Sequence, residues 1–193
     1  MSLKALEISY DFPFFLPEEL EELFAAHTQK TFNKGEFILK EGEIANEYYI
    51  LEKGVVRSYV TDFDGNDVTT HFFVDNEIVI EVLSMFQRVP TQENIVCITD
   101  CKSWAIDYDT FQDLFHKLAN LSEWGRAWMS KELFSYKKRS VEMFRLSATK
   151  RYLNLIDQKP QVVQFAPLKQ IASYLGVTDT SLSRIRKELV SHK

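Results

Sequence analysis

Short apolar segments separated by turn residues dominate the first half of the chain, after a brief helical pattern from Pro17 to His27. From about Thr31 to Asp107 the segments FILK, YYILE, VVRSYV, VTTHFF, NIVCI and WAID are rich in β-branched and aromatic residues. Glycines at positions 35, 42, 54 and 65 separate them, and the pair Asp64-Gly65 favours a hairpin turn. Many short strands with regular turns predict a β-sandwich or barrel, here a jelly roll.

Helical patterns replace the β pattern from Tyr108 onward. The segment YDTFQDLFHKL predicts one helix, a long segment from about Leu121 to Arg145 predicts a second, and SATKRYLNLIDQ predicts a third that ends at Lys159-Pro160. In the long segment Ala127, Phe134 and Val141 recur every seven residues, with Trp124, Trp128, Leu133 and Phe144 beside them. This repeat is typical of a helix that packs against a partner helix, although an amphipathic helix packed on its own domain is the alternative.

The segment PLKQIASYLGVTDTSLSRIRKEL, residues 167 to 189, has the pattern of two short helices joined by a tight turn. Apolar residues mark the inner faces of the two helices: Leu168, Ile171, Ala172 and Leu175, then Leu182, Ile185 and Leu189. Gly176 suits the left-handed turn position, Val177 fills the core between the helices, and Thr178 is a good N-cap. The pattern predicts a helix-turn-helix.

The outer face of the second helix carries residues that suit DNA. The predicted DNA-contacting residues are Lys169, Thr178, Asp179, Thr180, Ser183, Arg184, Arg186 and Lys187. Residues near the start of such a helix meet base edges in the major groove, where Arg184 can donate two hydrogen bonds to guanine. Lys169, Arg186 and Lys187 suit phosphate contact instead. The alternative is a helical hairpin used for packing only, with solvated charges outside.

Charge is distributed unevenly along the chain. Residues 1–136 hold 11 Lys and Arg against 24 Asp and Glu, a net charge of −13, whereas residues 137–193 hold 12 against 4, a net charge of +8. This asymmetry is expected when one end of a protein meets phosphates.

Composition indicates a globular protein: 193 residues, 45% of them hydrophobic, are enough to bury a sizeable core. No apolar run approaches the roughly 18 residues of a membrane span, and the N-terminus does not have the pattern of a signal peptide, so we expect a soluble cytoplasmic protein. Cys97 and Cys101 are expected to be reduced thiols, buried or half-buried, and not metal ligands.

Two segments resemble a known family. The segment IASYLGVTDTSLSRIRKEL is similar to the helix-turn-helix of CRP/FNR-family transcription regulators, and FNKGEFILKEGEIANEYYILEKGVVRSY resembles their cyclic-nucleotide-binding jelly roll, with KGE, EGE and KG at its turns. The resemblance covers about residues 30–190. It implies homodimer formation through the long helix and control of promoters by binding double-stranded DNA, with RNA polymerase as a candidate partner.

The expected fold class is therefore α+β, with an N-terminal β jelly roll, a long helix and a C-terminal all-α domain. We expect a cyclic-nucleotide-binding-like sensor domain at 1–120, a dimerisation helix at 121–145 and a helix-turn-helix DNA-binding domain at 146–193. The family usually has a β-hairpin wing after its second motif helix, and we expect this chain to lack it. Fewer phosphate contacts would then give a shallower salt dependence.

The candidate effector pocket departs from the family pattern. Relatives that sense cyclic nucleotides hold the ribose with a Gly-Glu pair and the phosphate with an Arg-Ser pair about ten residues later. In VIEVLSMFQRVPTQENIV, Glu81 stands at the glutamate position, but Ile80 replaces the glycine, and Thr91 and Gln92 replace the Arg-Ser pair. Loss of a charge-assisted phosphate contact costs roughly 1.5–3 kcal/mol, so we expect cAMP not to bind tightly.

The expected lining of this pocket is Arg57, Glu81, Arg88, Thr91, Gln92 and Tyr136, where Arg88 lies three residues before the arginine position. Two alternatives stay open: the pocket holds another small-molecule effector, or its own side chains fill it. No other cofactor is expected.

An enzyme of the cupin kind is a rival that shares the jelly roll, but its metal needs several converging histidines. The chain has four, at positions 27, 71, 116 and 192, and only His71 lies in the β region, so neither an enzyme nor a metal site is predicted. A second rival is an interaction module whose helical tail packs on a protein partner. Salt-dependent DNA binding distinguishes it from a regulator.

Overall fold

The computed structural model describes residues 3–191, and this part of the chain forms nine helices and eight strands. The helices are α1 (Lys4–Ser9), α2 (Pro17–Ala25), α3 (Val82–Gln87), α4 (Tyr108–Lys117), α5 (Ala119–Arg145), α6 (Ala148–Gln158), α7 (Pro160–Phe165), α8 (Leu168–Tyr174) and α9 (Asp179–Ser191). The strands are β1 (Thr28–Phe32), β2 (Phe37–Leu39), β3 (Glu47–Lys53), β4 (Val56–Thr61), β5 (Asp67–Phe73), β6 (Ile78–Val79), β7 (Asn94–Cys97) and β8 (Cys101–Asp107).

The strands form two four-stranded antiparallel sheets, in the orders β1-β8-β3-β6 and β2-β7-β4-β5. This order confirms the predicted jelly roll. Side chains alternate between the two faces of a strand, so in β7 Ile95 and Cys97 enter the core while Asn94 and Val96 stay half-buried. Cys97 and Cys101 are free, buried thiols, as expected.

The first turns of α5 belong to the core of the jelly roll. Trp124 is buried, its ring lies 4.7 Å from that of Tyr10, and its indole Nε1 donates to the Ser9 carbonyl at 3.0 Å. Leu121 is fully buried in the same cluster, which also includes Leu23 of α2. Helices α1, α2, α4 and the start of α5 therefore cover one side of the roll.

A second apolar core joins the helical half of the chain to the outer face of β5. Phe72 and Val74 from the jelly roll pack with Tyr152, Ile171 and Leu182 from α6, α8 and α9. Hydrogen bonds flank this core, since the Thr69 amide donates to Ser173 Oγ at 2.8 Å. The helix-turn-helix is thus docked directly on the sheet.

Most elements agree with the pattern-based predictions, whereas β1, β6, α1, α3 and α7 were not predicted. Each of these five has six or fewer residues, too few for a clear periodicity. None of the helices in the described residues is both long and apolar enough to cross a membrane. Within residues 3–191 no group of three or more His, Cys, Asp and Glu side chains is arranged to hold a metal ion.

Candidate DNA-binding surface and effector cavities

The turn between α8 and α9 has the geometry predicted for a helix-turn-helix. Gly176 adopts the left-handed conformation (φ 65°), and the Val177 amide returns to the Ala172 carbonyl at 3.0 Å, which closes the end of α8. Thr178 Oγ1 accepts a hydrogen bond from the Ser181 amide at 3.2 Å and so caps α9. The predicted roles of Gly176, Val177 and Thr178 depend only on nearby residues of the chain, and the structure confirms all three.

The outer face of α9 is open to solvent. All eight residues predicted to contact DNA are exposed, whereas Leu182 and Ile185 are buried against α8. Among the described residues, no carboxylate forms an ion pair with Arg184, Arg186 or Lys187. These side chains are therefore available to an external anion.

Arg151 of α6, which sequence reasoning missed, fixes the position of the turn. Its guanidinium donates to the Leu175 carbonyl through Nε at 3.2 Å and Nη2 at 2.8 Å. Its Nη1 donates to the Leu146 carbonyl at 2.6 Å, at the end of α5. One side chain thus joins the long helix to the helix-turn-helix.

The second half of α5 presents an apolar face that nothing in the described chain covers. Leu133, Phe134 and Phe144 are 66%, 70% and 90% exposed. Ala127 is only half-buried and Val141 is exposed, but Trp124 lies in the jelly-roll core and Trp128 packs against it. The predicted seam is therefore wrong for the two tryptophans, because the first turns of α5 pack on their own domain.

A cavity of about 510 Å³ opens between β2, β3, β6 and the start of α3. Apolar residues such as Leu39, Val79 and Ile80 form much of its wall. Three carboxylates, those of Glu43, Glu47 and Glu81, also belong to its lining, and no Lys or Arg of the described chain does. Glu47 is paired with Lys30 at 2.6 Å, whereas Glu43 and Glu81 form no ion pair with a described residue, so the cavity remains acidic.

A second cavity, of about 470 Å³, lies between the jelly roll, α5 and the helix-turn-helix. Its lining includes His71 and Phe73 of β5, Tyr136 of α5 and Tyr174 of α8. It also includes Lys159, which follows α6.

Comparisons with known proteins agree with this architecture. The family model of the cyclic nucleotide-binding domain matches residues 29–117. The fumarate and nitrate reduction regulatory protein of Yersinia pestis is 24% identical over 187 residues, which cover 90% of this chain and 74% of that protein. The anaerobic regulatory protein of Haemophilus influenzae is 22% identical and covers 90% of this chain and 72% of its own length.

Solved structures share the fold across both halves of the chain. FixK2 from Bradyrhizobium japonicum has a TM-score of 0.74 at 20% identity, covering 86% of this chain and 85% of that one. A regulator assigned to the CRP/FNR family from Eubacterium rectale has a TM-score of 0.71 at 14% identity, covering 94% and 88%. By sequence and fold, this chain is similar to regulators of the CRP/FNR family, and its residues 29–117 match the cyclic nucleotide-binding domain.

Glu81 is held by the backbone of its own helix, α3. Its carboxylate accepts hydrogen bonds from the Ser84 amide at 2.6 Å and the Leu83 amide at 3.3 Å, and so caps α3. Both carboxylate oxygens are thereby used inside the chain. Glu81 lines the first cavity, but its free hydrogen-bonding capacity is reduced.

Arg88 does not take the place of the family's phosphate-binding arginine. It adopts a left-handed conformation (φ 55°), and its guanidinium donates to the Ala45 carbonyl at 2.7 Å and to Asn46 Oδ1 at 2.5 Å. It also stacks on the Tyr108 ring at 4.2 Å. These contacts keep Arg88 out of the lining of both cavities.

The six predicted pocket residues do not come together. Thr91 is buried, where its hydroxyl accepts from the Glu93 amide at 3.0 Å, and Gln92 is exposed. Arg57 Nε donates to Thr69 Oγ1 at 2.8 Å, beside α8. Glu81 lines the first cavity, Tyr136 lines the second, and the other four line neither. Sequence spacing could not show this, because the loop after α3 uses its polar side chains for internal bonds.

Glu93 is a residue that the sequence prediction missed. Its carboxylate accepts a hydrogen bond from Ser58 Oγ, which is buried in β4. Glu93 follows directly after Gln92, which stands at one of the family's phosphate-binding positions. A carboxylate beside that position repels a phosphate and does not bind it.

Proposed function

We propose that this chain is a homodimeric transcription regulator that binds double-stranded DNA through α9. The observation that carries the proposal is the exposed outer face of α9, with three basic side chains that have no carboxylate partner in the described chain. A helix with such a face, placed after a capped tight turn, fits the major groove of B-DNA. A relative named as a regulatory protein and a solved structure of a CRP/FNR transcriptional regulator support the same conclusion.

Two kinds of contact are assigned along this surface. Thr180, Ser183 and Arg184 lie near the start of α9 and meet base edges, while Arg186 and Lys187 bind phosphates with Lys169 of α8. Asp179 belongs to the base-facing group, although its Oδ1 accepts from the Thr180 amide at 2.9 Å. Thr178 positions the helix as its N-cap and lies at the same surface.

The exposed apolar face of α5 supports a two-fold dimer. A second copy of α5 would cover Leu133, Phe134 and Phe144. Covering them removes the free-energy cost of exposing their apolar surface to water. A two-fold dimer places two α9 helices on a pseudo-palindromic site, with half-site centres about 34–36 Å apart.

We propose the division into a sensor domain at 1–120, a dimerisation helix at 121–145 and a DNA-binding domain at 146–193. RNA polymerase stays a candidate partner.

This regulator does not bind cAMP tightly, whether or not it has another effector. In the cavity lined by Glu81, a cyclic phosphate would meet the carboxylates of Glu43 and Glu81 and that of Glu47, which is paired with Lys30 at 2.6 Å, and no described Lys or Arg belongs to the lining. Arg88 is held by Ala45 and Asn46, and Glu93 lies beside the family's phosphate position. The lost charge-assisted contact costs roughly 1.5–3 kcal/mol, or ten- to hundredfold in affinity.

Thermal unfolding tests this part of the proposal directly. Millimolar cAMP or cGMP should leave the unfolding midpoint unchanged, because a ligand raises it only by binding the native state. A clear rise with either nucleotide would contradict the assignment.

Fluorescence anisotropy with labelled DNA from the promoter region of its own gene tests the central proposal. We expect DNA affinity to fall as the salt concentration rises. Arg184→Ala should lose about 1–3 kcal/mol of discrimination between sites. Lys187→Ala should weaken binding to all sequences and lower the slope of affinity against salt by about 1. Lys53→Ala, on the exposed surface of the jelly roll, is the matched loss of charge and should have little effect. Equal losses in all three variants would count against α9 as the DNA-reading element.

A further inference from the structure

The cavity of about 470 Å³ is built from all three parts of the chain. Its size is within the range of small-molecule sites, and its walls are rich in aromatic rings. The rings of His71 and Tyr136 lie 5.9 Å apart between centroids, and Trp128 of α5 also belongs to the lining. Such walls suit a flat, partly apolar ligand.

Positive charge in this cavity is only partly neutralised. The Arg139 guanidinium donates to the carbonyls of Thr70 and Tyr174 and lies over the Tyr174 ring at 3.9 Å, but no described carboxylate forms an ion pair with it. Lys159 is paired with Glu77 at 2.7 Å. Burial, and then the nearby Glu77, raise the pKa of Glu132, so this carboxyl offsets the cations less than a solvated one would.

His71 leaves a buried donor without a partner at the same place. Lys159 Nζ lies 3.4 Å from His71 Nε2, and an ammonium can only donate, so Nε2 accepts and Nδ1 carries the hydrogen. Among the described residues, His71 Nδ1 has no hydrogen-bond partner. A buried donor of this kind is costly to leave unpaired, and His71 belongs to the lining of this cavity.

We propose that this cavity binds a small aromatic anion, with its anionic group near Arg139 and its ring against Tyr136 and Trp128. The ligand would contact β5 of the jelly roll and Tyr174 of α8 at once. Its binding would therefore be coupled to the position of the helix-turn-helix. This regulatory consequence rests on the proposed DNA-binding function, whereas the binding site itself does not.

Two fluorescent probes of matched shape test the class of ligand. Anilinonaphthalene sulfonate carries an anionic group, and N-phenyl-1-naphthylamine is the same ring system without it. We expect the full chain to bind the sulfonate at one site per protomer at least tenfold more tightly than the neutral probe, as for a charge-assisted contact. Equal affinities would overturn the assignment of an anion.

Cavity-filling variants locate that site. Ser135 is exposed and lines this cavity, so Ser135→Trp should block it without removing an internal bond, and the sulfonate should lose at least tenfold in affinity. Ile44→Trp fills the acidic cavity of the jelly roll and should leave binding unchanged. Binding lost only in Ile44→Trp, lost in both, or lost in neither would overturn the proposal.

DNA affinity is measured separately, without probe, by anisotropy. A chain that binds DNA but fails the probe test loses only this further proposal. A chain that binds the probe as expected but no DNA loses the proposed function and keeps the site.

Discussion

Buried histidines connect single residues to the pH dependence of the whole fold. His27 Nδ1 donates to the Leu23 carbonyl at 2.8 Å, and the Tyr10 hydroxyl donates to Nε2 at 3.1 Å. The Tyr10 and Tyr48 hydroxyls are in turn 2.5 Å apart. Burial lowers the pKa of His27 to about 4, because an imidazolium in this position loses its water. Burial, and then Lys159 and Arg139, also lower the pKa of His71 well below its usual value.

Acid should therefore destabilise the protein before its carboxylates are protonated. The unfolded chain binds a proton at His27 near pH 6.5, whereas the folded chain does so only near pH 4, so the free energy of unfolding falls as pH drops through this window. We expect His27 to account for about 2 kcal/mol of the loss between pH 7.5 and 5.0. Urea unfolding of His27→Gln should show a shallower pH dependence than the wild type. The exposed His116→Gln is the control, and identical slopes for all three proteins would refute the role of His27.

At the scale of elements, α5 has two different halves. Its first turns complete the jelly-roll core through Leu121 and Trp124, and its second half exposes Leu133 and Phe144. One helix thus joins the jelly roll to the surface at which we expect a second protomer to bind. The charge pattern also divides this helix, because the net positive stretch of the chain, residues 137–193, begins within its second half.

A charge on that face should separate the protomers. Leu133→Glu would place a carboxylate in a desolvated helix–helix contact, which is costly without a partner. Sedimentation equilibrium should then show a monomer where the wild type is a dimer. Leu83→Glu changes a leucine of similar exposure on α3 and should leave the dimer intact. A wild-type monomer at micromolar concentration, or a dimeric Leu133→Glu variant, would disprove this use of α5.

Local signals in the sequence predicted the helices and turns better than they predicted which elements pack against each other. Gly176 and Thr178 act within one turn of chain, so the helix-turn-helix could be placed to within a few residues. The heptad positions of α5 could not show that Trp124 packs inside its own domain, because periodicity gives the apolar face of a helix and not what covers it. Glu81 was predicted to line the effector pocket, but its use as the N-cap of α3 depends on backbone geometry that the sequence pattern did not indicate.

At the scale of the whole molecule, the jelly roll and the C-terminal helices share an apolar core. Phe72 is fully buried in β5, with its ring 5.2 Å from that of Tyr174. Around it, Lys159 donates to the Phe72 carbonyl at 2.5 Å and pairs with Glu77, and Thr69 Oγ1 donates to the Gln170 carbonyl at 3.2 Å. These partners lie 82 to 101 residues apart along the chain, so the sequence indicated their chemistry but not their contacts.

A shared core predicts that the two halves unfold together. The transition seen by tryptophan fluorescence, which reports on the jelly roll and α5, should coincide with the helical transition seen by circular dichroism. Phe72→Ala should lower the stability by about 3–5 kcal/mol and shift both transitions equally. Phe37→Ala, at a partly exposed position, should have a much smaller effect. Separate transitions in the wild type would show that the halves are energetically independent.

The most direct test of the account as a whole is selection of bound duplexes from a random pool by the full chain, followed by sequencing. We predict enrichment of a pseudo-palindrome whose half-site centres lie about one helical turn, ~34–36 Å, apart. That result would support the α9 contacts and the two-fold dimer together. Failure to enrich any sequence over the starting pool, at a salt concentration that permits binding, would contradict the claim that this protein reads DNA.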